Sequence, residues 1–343
     1  MSGFSAVKNL IYRSSNNFRK LILKYFSNFS TLNSLKEMSA VNMSTLTRED
    51  IKAFLNSFDT VLTDCDGVTW LDDRPLKGAS ATLQQLRDLG KKVFYVTNNS
   101  TKTRDEFVTK CSNLGFKASA DEIISTAYLT ACYMSDLGFK KKAYIVGSTG
   151  LTRELDSVGI RHSDIGPDPL RSSLAAFVNQ EFHRDPEVGA VVVGFDEHFN
   201  YIKMLRAATY LNDPDCIFIA TNTDERFPMR SDLVVPGTGS IVAAVEACAG
   251  RPAFKIGKPS SYIRDVIVKR HNVDPKRTLM IGDRGNTDIL LGTRCGFQTL
   301  LVLTGVSSLE DVNEWKKSDN KDIRGCVPDY YLESLGDLLP LIS

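Results

Sequence analysis

The chain has 343 residues, 42% hydrophobic and 24% charged, the balance of a globular protein with room for two domains. Lys and Arg number 42 against 41 Asp and Glu, and a net charge of +1 gives no general argument for binding nucleic acid or an anionic membrane. No apolar run is long enough to cross a bilayer, and the seven scattered cysteines contain no C-x-x-C, so neither a zinc site nor a disulfide framework is indicated.

Residues 1–36 hold Lys8, Arg13, Arg19, Lys20, Lys24 and Lys36 and no acid, with many Ser and Asn. That composition fits a mitochondrial transit peptide, and equally an exposed basic tail. Residues 1–45 are read as an N-terminal extension, with the sheet expected to begin near Thr60. Thr47 opens a short helix with Ile51, Phe54 and Leu55 on one face.

The β-branched run 60–63 reads as a buried strand, and Asp64-Cys65-Asp66-Gly67 follows it. Two carboxylates one residue apart therefore leave a strand end, where open α/β sheets bind their ligands. Such close like charges need a cation or a shared proton, although a lone D-x-D-G is also a plain turn. Cys65 lies between the acids, whose charge raises its pKa, so it reads as a spacer and not a nucleophile.

Residues 79–89 form a helix with Leu83, Leu86 and Leu89 inward and Gly90 as C-cap. The next buried strand, 92–96, runs into Thr97-Asn98-Asn99-Ser100. Helices at 104–114 and 126–137 follow, each closed by a glycine. From 140 to 250 a second α/β pattern appears, with strands at 143–146, 190–193 and 216–220 and helices at 149–157, 200–211 and 239–249. The polar loop 162–173 lies inside it. The first pattern resumes at Phe254-Lys255-Ile256-Gly257-Lys258-Pro259. A helix at 260–271, a strand at 278–281 ending in Gly282-Asp283, a strand at 299–303 and the region 327–342 complete it.

Four strand-end features now stand in order: D-x-D-G, a Thr, a Lys and G-D-x-x-x-x-D. Each alone has an ordinary reading as a cap, a turn or a surface lysine. Together they supply what phosphoryl transfer from an ester to water requires. Asp64 and Asp283 offer hard oxygens for magnesium. A metal and a lysine stabilise the charge on three phosphoryl oxygens. One carboxylate can act as nucleophile, and another as acid and then base.

From about residue 45 onward the chain resembles the haloacid dehalogenase superfamily of phosphatases. The branch is that of phosphoglycolate/glycerol-3-phosphate, pyridoxal and 4-nitrophenyl phosphatases. The motifs are D-C-D-G-V-x-W, V-T-N-N-S, V-P-G-T-G-S, G-K-P-S and G-D-R-x-x-T-D-I. The resemblance implies an α/β fold with a Rossmann-like parallel-sheet core and a large inserted α/β cap domain. Its segments would be core at 46–139, cap at 140–250 and core again at 251–343. It implies a magnesium-dependent phosphomonoesterase working through an aspartyl-phosphate. Asp64 would be nucleophile and metal ligand, and Asp66 general acid/base and ligand through its backbone carbonyl. Thr97 and Asn98 would hold phosphoryl oxygens, and Lys258 would neutralise them and orient Asp64. Asp283 would be the second carboxylate ligand, with Asp288 in or beside the metal shell.

The resemblance further implies a small phosphorylated metabolite as substrate, a homodimer through the cap, and a cytoplasmic location. A transit peptide at 1–36 would instead place the chain in the mitochondrial matrix. One departure stands out: Gly285 and Asn286 occupy positions where the family commonly has Leu and an acid, which puts magnesium affinity in question. In the loop 220–228, T-N-x-D-x-R-x-P resembles the glycolate/glycerol version and not the D-x-W-H-P of pyridoxal phosphatases. Arg226 is the candidate specificity residue, since guanidinium binds carboxylates and hydroxyls, unless it merely pairs with Asp224 or Glu225. The expected substrate is 2-phosphoglycolate or glycerol 3-phosphate. The alternatives are a pyridoxal 5′-phosphate or phosphoprotein phosphatase of the same branch, and a non-catalytic phosphate-binding relative.

Overall fold

The computed structural model describes residues 40–227 and 233–343. In chain order its strands are β1 Val41–Asn42, β2 Thr60–Thr63, β3 Trp70–Leu71, β4 Arg74–Pro75, β5 Lys92–Thr97, β6 Ile123–Ser125, β7 Lys142–Val146, β8 Val188–Val193, β9 Ile217–Ala220, β10 Phe254–Lys255, β11 Thr278–Gly282, β12 Gln298–Val302 and β13 Tyr330–Leu332. Among the described residues, seven strands form a parallel sheet in the order β1-β13-β12-β11-β2-β5-β6, and four form a second parallel sheet in the order β10-β9-β8-β7. β3 and β4 make a small antiparallel hairpin.

The first sheet is covered on both faces, so its strands are continuous apolar runs and do not alternate with polar residues. Leu62, Phe94, Val96 and Met280 face one cluster, and Val61, Val93, Leu279 and Ile281 face the other. The first cluster continues through Ile145, Leu151, Val192 and Ile219 of the second α/β pattern, so one apolar core joins the two sheets. β2 lies between β5 and β11, and the chain winds outward from it in both directions. Such a reversal opens a crevice at the carboxyl ends of the strands, and β2, β5 and β11 all end there.

Helix α1, Arg48–Asn56, is held by a reciprocal cap between Thr47 and Asp50 and buries Ile51 and Phe54. Helix α2, Ala79–Asp88, buries Leu83 and Leu86. Leu89 departs from expectation: the helix stops at Asp88, so Leu89 turns out of the periodic face and is exposed. Helix α3, Arg104–Asn113, has the same kind of cap from Thr103 and Glu106. Helix α4, Thr126–Asp136, buries Ala127, Leu129, Ala131, Cys132 and Met134, because it lies within the shared core and has little outer face.

Two further features differ from the sequence reading. Residues 41–45 are not a loose tail. β1 pairs with β13 at the sheet edge, and Met43 after it is completely buried. The run is too short to show periodicity, and its partner lies almost 290 residues away. The Phe254-Lys255 pair, read as the return of the first pattern, is the edge strand of the second sheet beside β9. The expectation of a transit peptide or tail at 1–36 lies outside the described residues. No helix among the described residues is long and apolar enough to cross a membrane.

Candidate active site

β2 delivers Asp64 into the crevice. The Asp64 amide donates to the Ile281 carbonyl at 2.8 Å, extending the ladder one residue past the strand. The chain then turns at Gly67, whose φ of +84° suits glycine. A Cβ there would lie 2.6 Å from Asp283 Oδ2, so the two acidic strand ends approach closely only because this side is bare.

Lys258 is the charged centre. Its ammonium lies 2.6 Å from Asp64 Oδ1 and 2.8 Å from Asp288 Oδ1, and donates to the Val96 carbonyl at 3.0 Å. Two ion pairs and one hydrogen bond hold the ammonium in place. Burial alone would lower its pKa, but the two carboxylates win and hold it above the ordinary lysine value. Burial, then the charge of Asp288, raises Asp64 well above the ordinary carboxyl range, with Lys258 pulling the other way.

Asp283 lies at the end of β11, and its Oδ2 accepts the Val306 amide at 2.9 Å. Burial, then Asp288, pushes its pKa up to about 6. Asp288 is fully buried, with Oδ2 accepting the Arg284 amide at 3.2 Å. Its Oδ1 has the ion pair to Lys258 but no aligned hydrogen bond. Asp64, Asp283 and Asp288 each present one oxygen, all within 4.8 Å of one another. Three hard oxygens, one of them enclosed and incompletely satisfied, fit a small divalent cation such as magnesium.

The Asp66 carboxylate is not one of this trio, although it lines the same cavity. Its Oδ1 accepts the indole N–H of Trp70 at 3.1 Å. Burial raises its pKa, while Lys110 and the Trp70 hydrogen bond oppose that shift. Cys65, enclosed between the acids, is pushed well up by burial and then by their charge, in keeping with a spacer.

Thr97 is buried at the end of β5, and its hydroxyl accepts the Asn99 amide at 3.1 Å. Its own proton has no acceptor among the described residues, so it can be given to a ligand. The Asn98 side chain is engaged elsewhere. Its Nδ2 donates to both oxygens of Asp224, at 3.2 and 3.1 Å, and its Oδ1 accepts the Lys258 amide at 2.8 Å. Asn222 Nδ2 donates to the Asn98 carbonyl at 2.7 Å. Asn98 thus ties the first sheet, the lysine loop and the loop after β9 together.

That loop closes one side of a cavity of about 590 Å³, with Asp64, Asp66, Thr97, Lys258 and Asp283 on the other side. Arg226 is exposed and lines it, as do Phe195 and Phe227, whose rings pack 4.3 Å apart. The acids beside Arg226 belong to a different partner. Arg284 lies 2.7 Å from Glu225 and 3.7 Å from Asp224. No ion pair of Arg226 is found among the described residues. Asp224 and Arg284 were missed in the sequence because their meaning lies in meeting each other across the cavity. Asp224 at a strand end after T-N was the available signal.

The Gly285-Asn286 departure also finds a reason. A Cβ on Gly285 would lie 2.2 Å from the Trp315 ring, so that packing admits only glycine. Asn286 is exposed and accepts the Arg284 Nε–H at 2.9 Å.

The comparisons agree with this geometry. The haloacid dehalogenase-like hydrolase family is matched by one model over residues 61–161 and by another over 116–296. Glycerol-3-phosphate phosphatase of Mus musculus is 43% identical over 311 residues, covering 87% of this chain and 95% of that protein. Chronophin of Bos taurus is 40% identical, covering 81% of this chain and 91% of that protein. The crystal structure of 4-nitrophenylphosphatase from Thermotoga maritima superposes with a TM-score of 0.69 at 29% identity, covering 84% of this chain and 99% of that one. A glycerol phosphate phosphatase from Mycobacterium tuberculosis, solved in complex with magnesium, gives a TM-score of 0.66 at 26% identity, covering 82% of this chain and 77% of that one. The chain belongs to the haloacid dehalogenase-like hydrolases and, within them, to the phosphatases: it is a phosphoric monoester hydrolase.

Proposed function

We propose that the chain hydrolyses small phosphate monoesters with magnesium, through an aspartyl-phosphate formed on Asp64. The observation that carries this reading is Lys258, fixed 2.6 Å from Asp64 at the edge of the acidic trio. Asp64, Asp283 and the Asp66 backbone carbonyl would hold magnesium, with Asp288 in or beside its shell. When bound, the ion offsets the clustered negative charge and that of the phosphoryl oxygens.

The residues divide the work as follows. Lys258 aims Asp64 at phosphorus, and Thr97 donates to a phosphoryl oxygen. Asp64 attacks, the bond from phosphorus to the leaving oxygen breaks, and Asp66 protonates that oxygen. Water then attacks the same phosphorus and gives its proton to Asp66. The bond to Asp64 breaks, and inorganic phosphate leaves. Asn98 braces the loop that closes the cavity. The unit carrying the second sheet acts as the cap.

Arg226 is the proposed specificity residue, because Asp224 and Glu225 are engaged by Arg284 and leave it for the substrate. Glycerol 3-phosphate and 2-phosphoglycolate are the proposed substrates, a reading supported by the glycerol-3-phosphate phosphatase relatives. The Phe195–Phe227 pair favours a second reading, a flat aromatic ester such as pyridoxal 5′-phosphate. A panel of phosphate esters with magnesium, with EDTA as control, tests all of this. Release of phosphate that stops with EDTA and falls below about 1% in Asp64→Asn is expected. Pyridoxal 5′-phosphate as the best substrate would overturn the assignment of Arg226 but not the chemistry. A homodimer through the cap rests on the family resemblance, and a monomeric mass by light scattering would refute it.

A further inference from the structure

Trp70 is the largest fully buried side chain near the site, and the mechanism so far gives it no task. Its backbone closes the acidic loop: its carbonyl accepts the Gly67 amide at 2.8 Å. Its indole N–H reaches Asp66 Oδ1 at 3.1 Å. The ring stacks on Tyr95 at 6.5 Å and meets Phe116 edge-on at 5.5 Å. The Lys110 ammonium lies 5.1 Å from its centroid. Tyr95 is itself anchored by its hydroxyl, which donates to the Lys117 carbonyl at 3.1 Å. Packed on these sides, the indole cannot swing to follow a rotating carboxyl.

An indole nitrogen only donates. In a protonated carboxyl it favours the bare carbonyl oxygen, a better acceptor than the oxygen that carries the proton. We propose that Trp70 is the positioning residue of the general acid/base, selecting which oxygen of Asp66 carries the proton. With the indole on Oδ1, the proton resides on Oδ2, the oxygen left for the substrate. In the first step the Oδ2 proton passes to the leaving oxygen as its bond to phosphorus breaks. In the second, water bonds to phosphorus, its proton returns to Oδ2, and the bond from phosphorus to Asp64 breaks. Without the indole N–H, either oxygen can hold the proton and the carboxyl can rotate it out of reach. The inference rests on the reading of Asp66 as general acid/base.

The test compares two leaving groups on the magnesium-loaded enzyme. An alkoxide needs a proton to depart, and nitrophenolate scarcely does. The variant Trp70→Phe keeps most of the stacked surface and removes the N–H. A second enzyme carries β-(3-benzothienyl)alanine at position 70, which keeps the shape of the indole without its donor. Pre-steady-state bursts measure formation of the phosphoenzyme for glycerol 3-phosphate and for 4-nitrophenyl phosphate. In both enzymes the glycerol 3-phosphate rate is expected to fall about tenfold more than the nitrophenyl rate, a share of the roughly 100-fold or greater contribution of acid catalysis. Asp66→Asn should show the same bias, more strongly. Equal losses on both substrates in the benzothienyl enzyme, with the bias present in Asp66→Asn, would overturn the role of Trp70 alone. No bias in Asp66→Asn would overturn the general-acid reading and this inference with it.

Discussion

Asp283 illustrates how one residue holds opposing demands. Its pKa is pushed up to about 6 from 3.8 by burial and by Asp288. Between those values the folded state keeps a proton that the unfolded state has lost. Stability of the metal-free protein therefore falls as pH rises through that window, and the penalty is complete above about 6. Two units correspond to at most about 3 kcal/mol. Asp283→Asn keeps an oxygen to accept the Val306 amide and removes the charge. In EDTA at pH 7.5 it should raise Tm by about 2–4 °C over the parent, with the gain fading towards pH 4. Magnesium should raise the parent's Tm and barely move the variant's. A lower Tm for Asp283→Asn in EDTA at pH 7.5 would contradict this account of the cluster.

At the scale of elements, the loop after β9 is held by two clasps, Asn98 to Asp224 and Arg284 to Glu225. The carboxyl of Glu225 is largely exposed, so the second clasp contributes little to global stability. Its effect should appear in substrate binding, through the placement of Arg226. Arg284→Ala is expected to raise KM for glycerol 3-phosphate about 5–20-fold with kcat reduced less, the signature of lost binding that is uniform between ground and transition state. A change confined to kcat would argue against a positioning role for this clasp.

The edge strand β1 gives a second element-scale expectation. A chain starting at Ala40 retains β1 and the buried Met43, whereas one starting at Leu46 loses both. Removing a fully buried methionine costs on the order of 3 kcal/mol before the strand pairing is counted. The shorter chain should therefore unfold several degrees lower, as read by calorimetry, while the chain starting at Ala40 serves as the stable reference. Equal Tm values for the two would show that the edge strand adds nothing. The sequence could not announce this strand. Two residues carry no periodicity, and the strand exists only because β13 offers a free edge.

For the whole molecule, the decisive fact is that the cavity draws its walls from both α/β patterns. A substrate must fit within about 590 Å³, closed on one side by the loop after β9. Free phosphoserine should be hydrolysed at least 100-fold more efficiently than phosphoserine on the surface of a folded protein. Comparable kcat/KM values for the two would mean that the loop opens far more than its clasps suggest.

The chemistry of the site was legible in the sequence for a physical reason. D-x-D-G, Thr and G-D-x-x-x-x-D each follow an apolar run, and the parallel strands of one sheet place their carboxyl ends together. Asp64, Thr97 and Asp283 therefore announce a common crevice before any contact is seen, whereas Lys258 follows the edge strand of the second sheet and reaches that crevice only through the tertiary structure. Backbone periodicity likewise marked helices α1 to α4 and most of the strands within a residue or two. What the sequence left open depends on side chains meeting from distant segments. Whether Asp224 and Glu225 engage Arg226 beside them or Arg284 from β11's loop is decided by three-dimensional reach alone. The same holds for Trp70, which in the sequence is an apolar residue after a turn. Only its burial against Tyr95 and Phe116 aims the indole N–H at Asp66, because the direction of a donor is a property of packing and not of residue order.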